Sequence, residues 1–279
     1  MIPLRFTSLS LSSSLLSVIA LVGCSESGIA HDAVFAKATP AQIDRVYSAS
    51  SGFDLVTVLL IADNMAGRSA PTGCPAIVTK GTVTTATGGC TTEGGDRLEG
   101  SIVIRDLPNI DRTPLEGPAE TGSVELDIRG TSADGEVGAF EGRVEIDLDM
   151  DIRGDLATTS RGVVSTSRLE LSYGSDGTAT VAPGSEIAHS ELGGAGVEGS
   201  WHFGDPPSGA LILRGADELV FDIAHRGEDN CVPYAAGENR GEVCDTLIEP
   251  RRAARFDEAQ VLEAQPVSSL SRMLLRAKR

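Results

Sequence analysis

From Cys74 to about residue 226 the chain alternates apolar and polar residues in short runs, separated by Gly-, Asp- and Pro-rich turns. A period of two sends successive side chains to opposite faces of a strand, whereas a helix needs a period of 3.6. Three of the runs carry Glu-Gly in the middle: LEGSIVI (98–104), FEGRVEI (140–146) and VEGSWHF (197–203). Glycine weakens a strand, because it brings no side chain to pack. In each run it falls on the apolar side. Phe140, Gly142, Val144 and Ile146 share one face; so do Leu98, Gly100, Ile102 and Ile104, and Val197, Gly199, Trp201 and Phe203. Gly100, Gly142 and Gly199 therefore mark places where a sheet bends or thins, or where the apolar surface of a ligand meets the backbone.

The turns fix register. A two-residue Asp-Gly turn in Ser132-Ala133-Asp134-Gly135-Glu136 would pair 133 with 136 and set Val124, Leu126 and Ile128 opposite polar residues. A three-residue loop with Gly135 left-handed pairs 132 with 136 instead. Ile128 then faces Phe140, Leu126 faces Gly142, Val124 faces Val144, and Glu125 meets Arg143 on the other side. The Ser175-Asp176-Gly177 turn works the same way, setting Tyr173 opposite Ala179 and Leu171 opposite Val181.

Candidate strands are 76–79, 82–87, 97–105, 121–132, 136–152, 161–174, 178–182, 196–204, 209–215 and 218–225. Ahead of them, Thr39-Pro40 reads as an N-cap followed by proline at the first helical position, which predicts a helix over about 40–50. FDLVTVLLIADNMA (53–66) is a second helix or a buried strand; its length and Asp54 near its start favour helix. The expected fold is mainly β: a large curved antiparallel sheet, either a sandwich or a partly closed barrel, with a short N-terminal helical segment. Aromatics are only 4% of the 279 residues, so the core rests on Val, Ile, Leu and Ala.

The formal net charge of −17 argues against nucleic acid and against anionic lipid surfaces, which need clustered Lys and Arg. The first segment, MIPLRFTSLSLSSSLLSVIALVGCSES, has a basic start at Arg5, an apolar stretch from Leu9 to Val22 and a small-residue end, the layout of a secretory signal. Its Leu21-Val22-Gly23-Cys24 resembles the lipobox of bacterial lipoproteins. The resemblance implies that residues 1–23 are removed, that Cys24 becomes the first mature residue, and that Cys24 carries fatty acyl groups, palmitate among them, as a membrane anchor. In the enterobacterial sorting rule an Asp after the cysteine retains the protein at the inner membrane; Ser25 implies delivery to the outer membrane. Residues 24–38 then read as a lipidated tether, 39–68 as the helical segment, 74–249 as the β domain and 250–279 as a mobile basic tail.

Setting Cys24 aside leaves Cys74, Cys90, Cys231 and Cys244, an even number for an oxidising compartment. Three pairings exist. The local ones, Cys74–Cys90 and Cys231–Cys244, each span one hairpin or loop and are favoured. A metal site at Cys231 and Cys244 lacks paired CxxC or a nearby His.

Signals for chemistry are sparse. Asp147, Asp149 and Asp151 resemble the opening of a calcium loop, but Ile152 stands where the EF-hand needs Gly and Thr158 where it needs Glu. A solvated strand face, balanced by Arg153 or Arg168, is the simpler reading. Arg153-Gly154-Asp155 is an RGD tripeptide, which integrins read only on an exposed loop. His31, His189, His202 and His225 are scattered, and no nucleophile elbow, Ser-x-x-Lys, phosphate loop or HExxH is present. Trp201 reads as a core anchor. The expectation is a lipid-anchored envelope protein with no catalytic residues and no cofactor, acting as a structural or binding module. Its partner is the membrane, through Cys24. The alternative is a carrier holding lipid or another apolar ligand in a groove between residues 53–66 and the glycine-bearing strands.

Overall fold

The computed structural model describes residues 28–107, 121–149, 151–174, 176–202, 206–227 and 231–244, with Leu270 and Leu274. The signal segment and Cys24 lie outside the described residues, as do Phe203 and Ser175.

Helix α1 spans Pro40–Ser50 and starts as expected. Thr39 Oγ1 accepts the Gln42 N–H at 3.4 Å, and Gln42 Oε1 accepts the Thr39 N–H at 2.8 Å. This reciprocal capping box satisfies two backbone donors that the first turn leaves open. Helix α2, Phe53–Met65, follows at about 60°. Leu55, Val56, Val58, Leu59, Ile61, Ala62 and Met65 are all buried and only Asp63 is exposed, so almost no wet face remains. That explains the ambiguity of its sequence, because a helix without a wet face has no amphipathic period. No single described helix is long and apolar enough to cross a membrane.

Fifteen strands follow among the described residues: β1 (Ala76–Lys80), β2 (Val83–Thr87), β3 (Cys90–Thr91), β4 (Arg97–Arg105), β5 (Thr121–Thr131), β6 (Val137–Asp147), β7 (Ile152–Ser160), β8 (Val163–Tyr173), β9 (Thr178–Val181), β10 (Glu186–His189), β11 (Gly193–His202), β12 (Ser208–Arg214), β13 (Glu218–Asp222), β14 (Val232–Ala236) and β15 (Asn239–Val243). They form one continuous antiparallel sheet in the order β1-β2-β4-β5-β6-β7-β8-β10-β11-β12-β13-β14-β15, with β3 paired to β4 and β9 set between β8 and β11. Its inner face carries the helices: α2 packs on β5, β6 and β7, and α1 on β8, β10 and β15.

The β5–β6 register is the expected one, with Ile128 opposite Phe140, Leu126 opposite Gly142, Val124 opposite Val144 and Glu125 opposite Arg143. Ser132 N–H donates to Glu136 O at 2.8 Å, and Gly135 is left-handed at φ +88°. Tyr173 pairs with Ala179 and Leu171 with Val181 across the second loop.

Two expectations change. The run 136–152 is not one strand: β6 stops at Asp147 and the chain turns back into β7. Strand β7 was hidden because Gly154 and Thr158 occupy inward positions where an apolar residue would have announced it. Strands β10, β14 and β15 were not expected as strands either; each is only four or five residues long.

The segment before α1 is not a loose tether. Ala33 and Phe35 are 1% exposed and belong to the same hydrophobic core as the helices and the sheet. In the basic tail, Leu270 and Leu274 are helical and buried in that core. A phenyl and phenol cluster links α1 to the far strands: Tyr47 and Phe221 have ring centroids 4.6 Å apart, and Phe221 and Tyr234 6.2 Å.

Candidate functional site

The three Glu-Gly glycines share one geometry. Gly100, Gly142 and Gly199 have φ of +90°, +138° and +141°, although the ladder runs through each without an inserted residue. A Cβ on Gly142 would lie 2.0 Å from the Asp155 carbonyl oxygen of β7. On Gly100 it would lie 1.9 Å from Asp127 O, and on Gly199 2.3 Å from Ala210 O. Only glycine tolerates both the dihedral and the approach. The kink lets the sheet curve, and the missing side chain faces a neighbouring backbone. Above β7, Leu55 of α2 rests on Gly154, with Cδ2 only 2.3 Å from where a Cβ would stand.

On the outer face the charged positions of five strands line up. Cross-strand pairing sets Glu125 beside Arg143, Arg143 beside Asp155, Asp155 beside Arg168 and Arg168 beside Glu186. A second row runs Glu145, Arg153, Glu170. Signs alternate along both rows. Arg143 Nη2 lies 2.7 Å from Glu145, Arg153 Nη2 2.9 Å from Glu170, and Arg168 Nη1 2.8 Å from Glu186. Arg143, Arg153 and Arg168 are each more than half exposed, and the Arg143–Glu145 and Arg153–Glu170 pairs are each worth about 0–1 kcal/mol; Glu186, the partner of Arg168, is buried.

These rows floor a depression of about 440 Å³ lined by Arg143, Glu145, Arg153, Asp155, Arg168 and Glu170, with Pro183, Gly184 and Ser185 as a wall. The wall arises because β9 and β10 share one lane between β8 and β11. Leu171 pairs with Val181 and Arg168 with Glu186, so three steps on β8 oppose five in the lane. The two extra residues bulge outward around Pro183-Gly184. Ala182 N–H donates to Glu170 O at 2.8 Å, and Ser185 Oγ accepts the Glu170 N–H at 3.2 Å, which pins both ends of the bulge.

Beside the depression the N-terminal segment comes down. Glu186 is buried; its Oε2 accepts the Ile29 N–H at 3.0 Å, and His31 Nε2 lies 3.8 Å away. Residues 29–31 cross a stretch of β11 that has no outward side chains. A Cβ on Gly194 would stand 2.1 Å from Ile29 Cγ2 and 2.2 Å from Ala30 O, and one on Gly196 2.9 Å from the His31 ring. The segment then rounds the end of the sheet. Asp32 accepts the Gly194 N–H, Ala33 N–H donates to Gly194 O, and Ala216 N–H donates to Ala33 O. Asp217 takes the Phe35 and Ala36 N–H groups at 2.7 and 2.8 Å, and Asn239 donates to the carbonyls of Phe35 and Ala38. We call residues 28–38 the strap. Its signal in the sequence was the crowding of glycine in LGGAG (192–196), which marks close backbone approach. Glu186 and Asp217 carried no signal of their own, because charged residues at strand ends are common.

The remaining candidates are placed as follows. Asp147, Asp149 and Asp151 sit on the β6–β7 turn, not along a straight strand. Asp147 Oδ1 accepts the N–H groups of Asp149 and Asp151, both at 3.0 Å, so that carboxylate shapes the turn. The three side chains do not converge within 4.8 Å as a ligand set. Arg153-Gly154-Asp155 lies in mid-strand, with both charged residues ion-paired, which removes it from the loop context integrins require. Cys74–Cys90 and Cys231–Cys244 are disulfides, as the local pairing predicts. Glu242 stands beside the second, but its sulfurs are bonded to each other. Trp201 is 2% exposed, a core anchor. His189 is buried against α1; its Nδ1 accepts the Glu191 N–H at 3.2 Å, and burial lowers its pKa. Comparison with protein-family models, with curated proteins and with solved structures finds no match.

Proposed function

We propose that the chain is a lipid-anchored protein of the bacterial cell envelope, delivered to the outer membrane, and that it serves there as a non-enzymatic structural or binding module. The observation that carries this reading is the Leu21-Val22-Gly23-Cys24 motif, followed after only three residues by a strap that ties the chain into the core. Two disulfides suit a compartment outside the cytosol. The module is favoured over a carrier of apolar ligands because α2 lies directly on Gly154, where the carrier would need a groove. The glycines at 100, 142 and 199 accommodate backbone, which a curved and filled sheet also requires.

Membrane fractionation of wild type and Cys24→Ser tests the anchor. Wild type is expected with the membranes and the variant in the soluble fraction; equal membrane association of both overturns the reading. Native mass spectrometry of the purified protein tests the module against the carrier. A co-purified, non-covalent lipid of fixed stoichiometry that survives Leu55→Ala would favour the carrier.

A further inference from the structure

We infer that the outer-face depression over β6, β7 and β8 receives a phosphoethanolamine headgroup of the membrane in which Cys24 is anchored; the inference rests on the lipid-anchor reading. Reach comes first. Four chain steps separate Cys24 from Gly28. A chain spans at most ~3.6 Å per residue, so Cys24 lies within about 14 Å of Gly28 whatever path it takes. Gly28 and Ile29 lie on the Glu186 carboxylate, and Glu186 is paired with Arg168 in the floor of the depression. The strap cannot pay out more chain without breaking its bonds to Glu186, Gly194 and Asp217. The strap end, and with it the Arg168 edge of the depression, is thus kept within reach of the headgroup layer.

Charge decides which headgroup. Three arginines and three carboxylates line the site in alternation, inside a chain of net charge −17. An anionic headgroup would meet as many carboxylates as guanidiniums locally and long-range repulsion beyond them. Phosphoethanolamine carries a phosphate and a primary ammonium a few ångströms apart and no net charge. Arg153 offers the phosphate a planar fork, and Glu145 and Glu170 offer the ammonium hydrogen-bond acceptors. Opening the Arg153–Glu170 pair costs little, since both side chains are substantially exposed. Phosphocholine has the same charges, but its methylated nitrogen cannot donate to a carboxylate. The volume of about 440 Å³ is in the range of small-molecule sites, ~300–1,000 Å³.

The test titrates isotope-labelled mature protein in maltoside micelles with three soluble headgroups: glycerophosphoethanolamine, glycerophosphoglycerol and glycerophosphocholine. Saturable shifts of the Gly154, Gly184 and Ser185 amides are expected with the first, at least five-fold weaker with the other two. Arg153→Gln and Glu170→Gln, exposed positions that leave the core untouched, are each expected to weaken binding at least five-fold. No saturable shift with glycerophosphoethanolamine overturns the inference even if Cys24 is acylated. Equal binding of all three overturns the headgroup choice. The intact mass of the same sample reports separately on the anchor: an unmodified Cys24 would overturn the lipoprotein reading and, with it, the membrane as the source of the headgroup.

Discussion

The outer face of the sheet is treated in two opposite ways. Over β5–β8 it is a checkerboard of half-exposed ion pairs on which no described segment lies. Over β11 the outward positions Gly194 and Gly196 are bare, and the strap lies directly on the backbone. Removing side chains lets one segment approach another within van der Waals distance, so the covered half is built for the chain itself. Keeping long charged side chains forbids that approach by another segment of the chain, and their alternating signs leave little net charge along the rows. Glu186 stands on the border, bonded to Arg168 on one side and to the strap on the other.

The sharpest way to break the contrast is to fill the covered half. Gly194→Leu places a side chain where Ile29 and Ala30 lie, and should cost about 3 kcal/mol in urea unfolding. A loss below about 0.5 kcal/mol would mean that the strap does not rest there. Asp217→Ala removes a carboxylate that takes two strap N–H groups, and a loss of about 2 kcal/mol is expected. A smaller effect belongs to His189 on β10. Burial lowers its pKa, Glu191 opposes that and Arg45 adds to it. As pH falls through about 6.5 the unfolded chain takes up the proton first, so stability declines from there downward until the folded state protonates as well. His189→Gln should flatten the stability profile below about pH 6.5; an unchanged slope would place the titrating group elsewhere. On the open half, Arg153→Ala should cost less than about 1 kcal/mol, and a double-mutant cycle with Glu170→Ala should give a coupling no larger.

Where alternation was unbroken the fold was legible from the sequence. The β5–β6 register followed from one steric argument about Gly135, because a slip of one residue would have exposed every core side chain. Strand β7 escaped because Gly154 makes room for Leu55 and so lacks the apolar residue that signals an inward position. The strap escaped for a related reason: its partners are glycines and the polar side chains of Glu186, Asp217 and Asn239, most of which bind its backbone and leave no pattern in the strap's own residues. The outer-face depression was half visible. Glu145, Arg153 and Arg168 stood out as charged strand positions, but the bulge at Pro183-Gly184 that walls them in depends on two extra residues in a lane, which only pairing reveals.

Hydrogen exchange at the Ile29, Ala33 and Phe35 amides tests the strap most directly. Their acceptors are Glu186, Gly194 and Asp217, and protection close to that of the Val197 amide, which donates to Ser185 O within the sheet, is expected. Exchange at the rate of unstructured chain would contradict the account, restoring a tether in place of the strap.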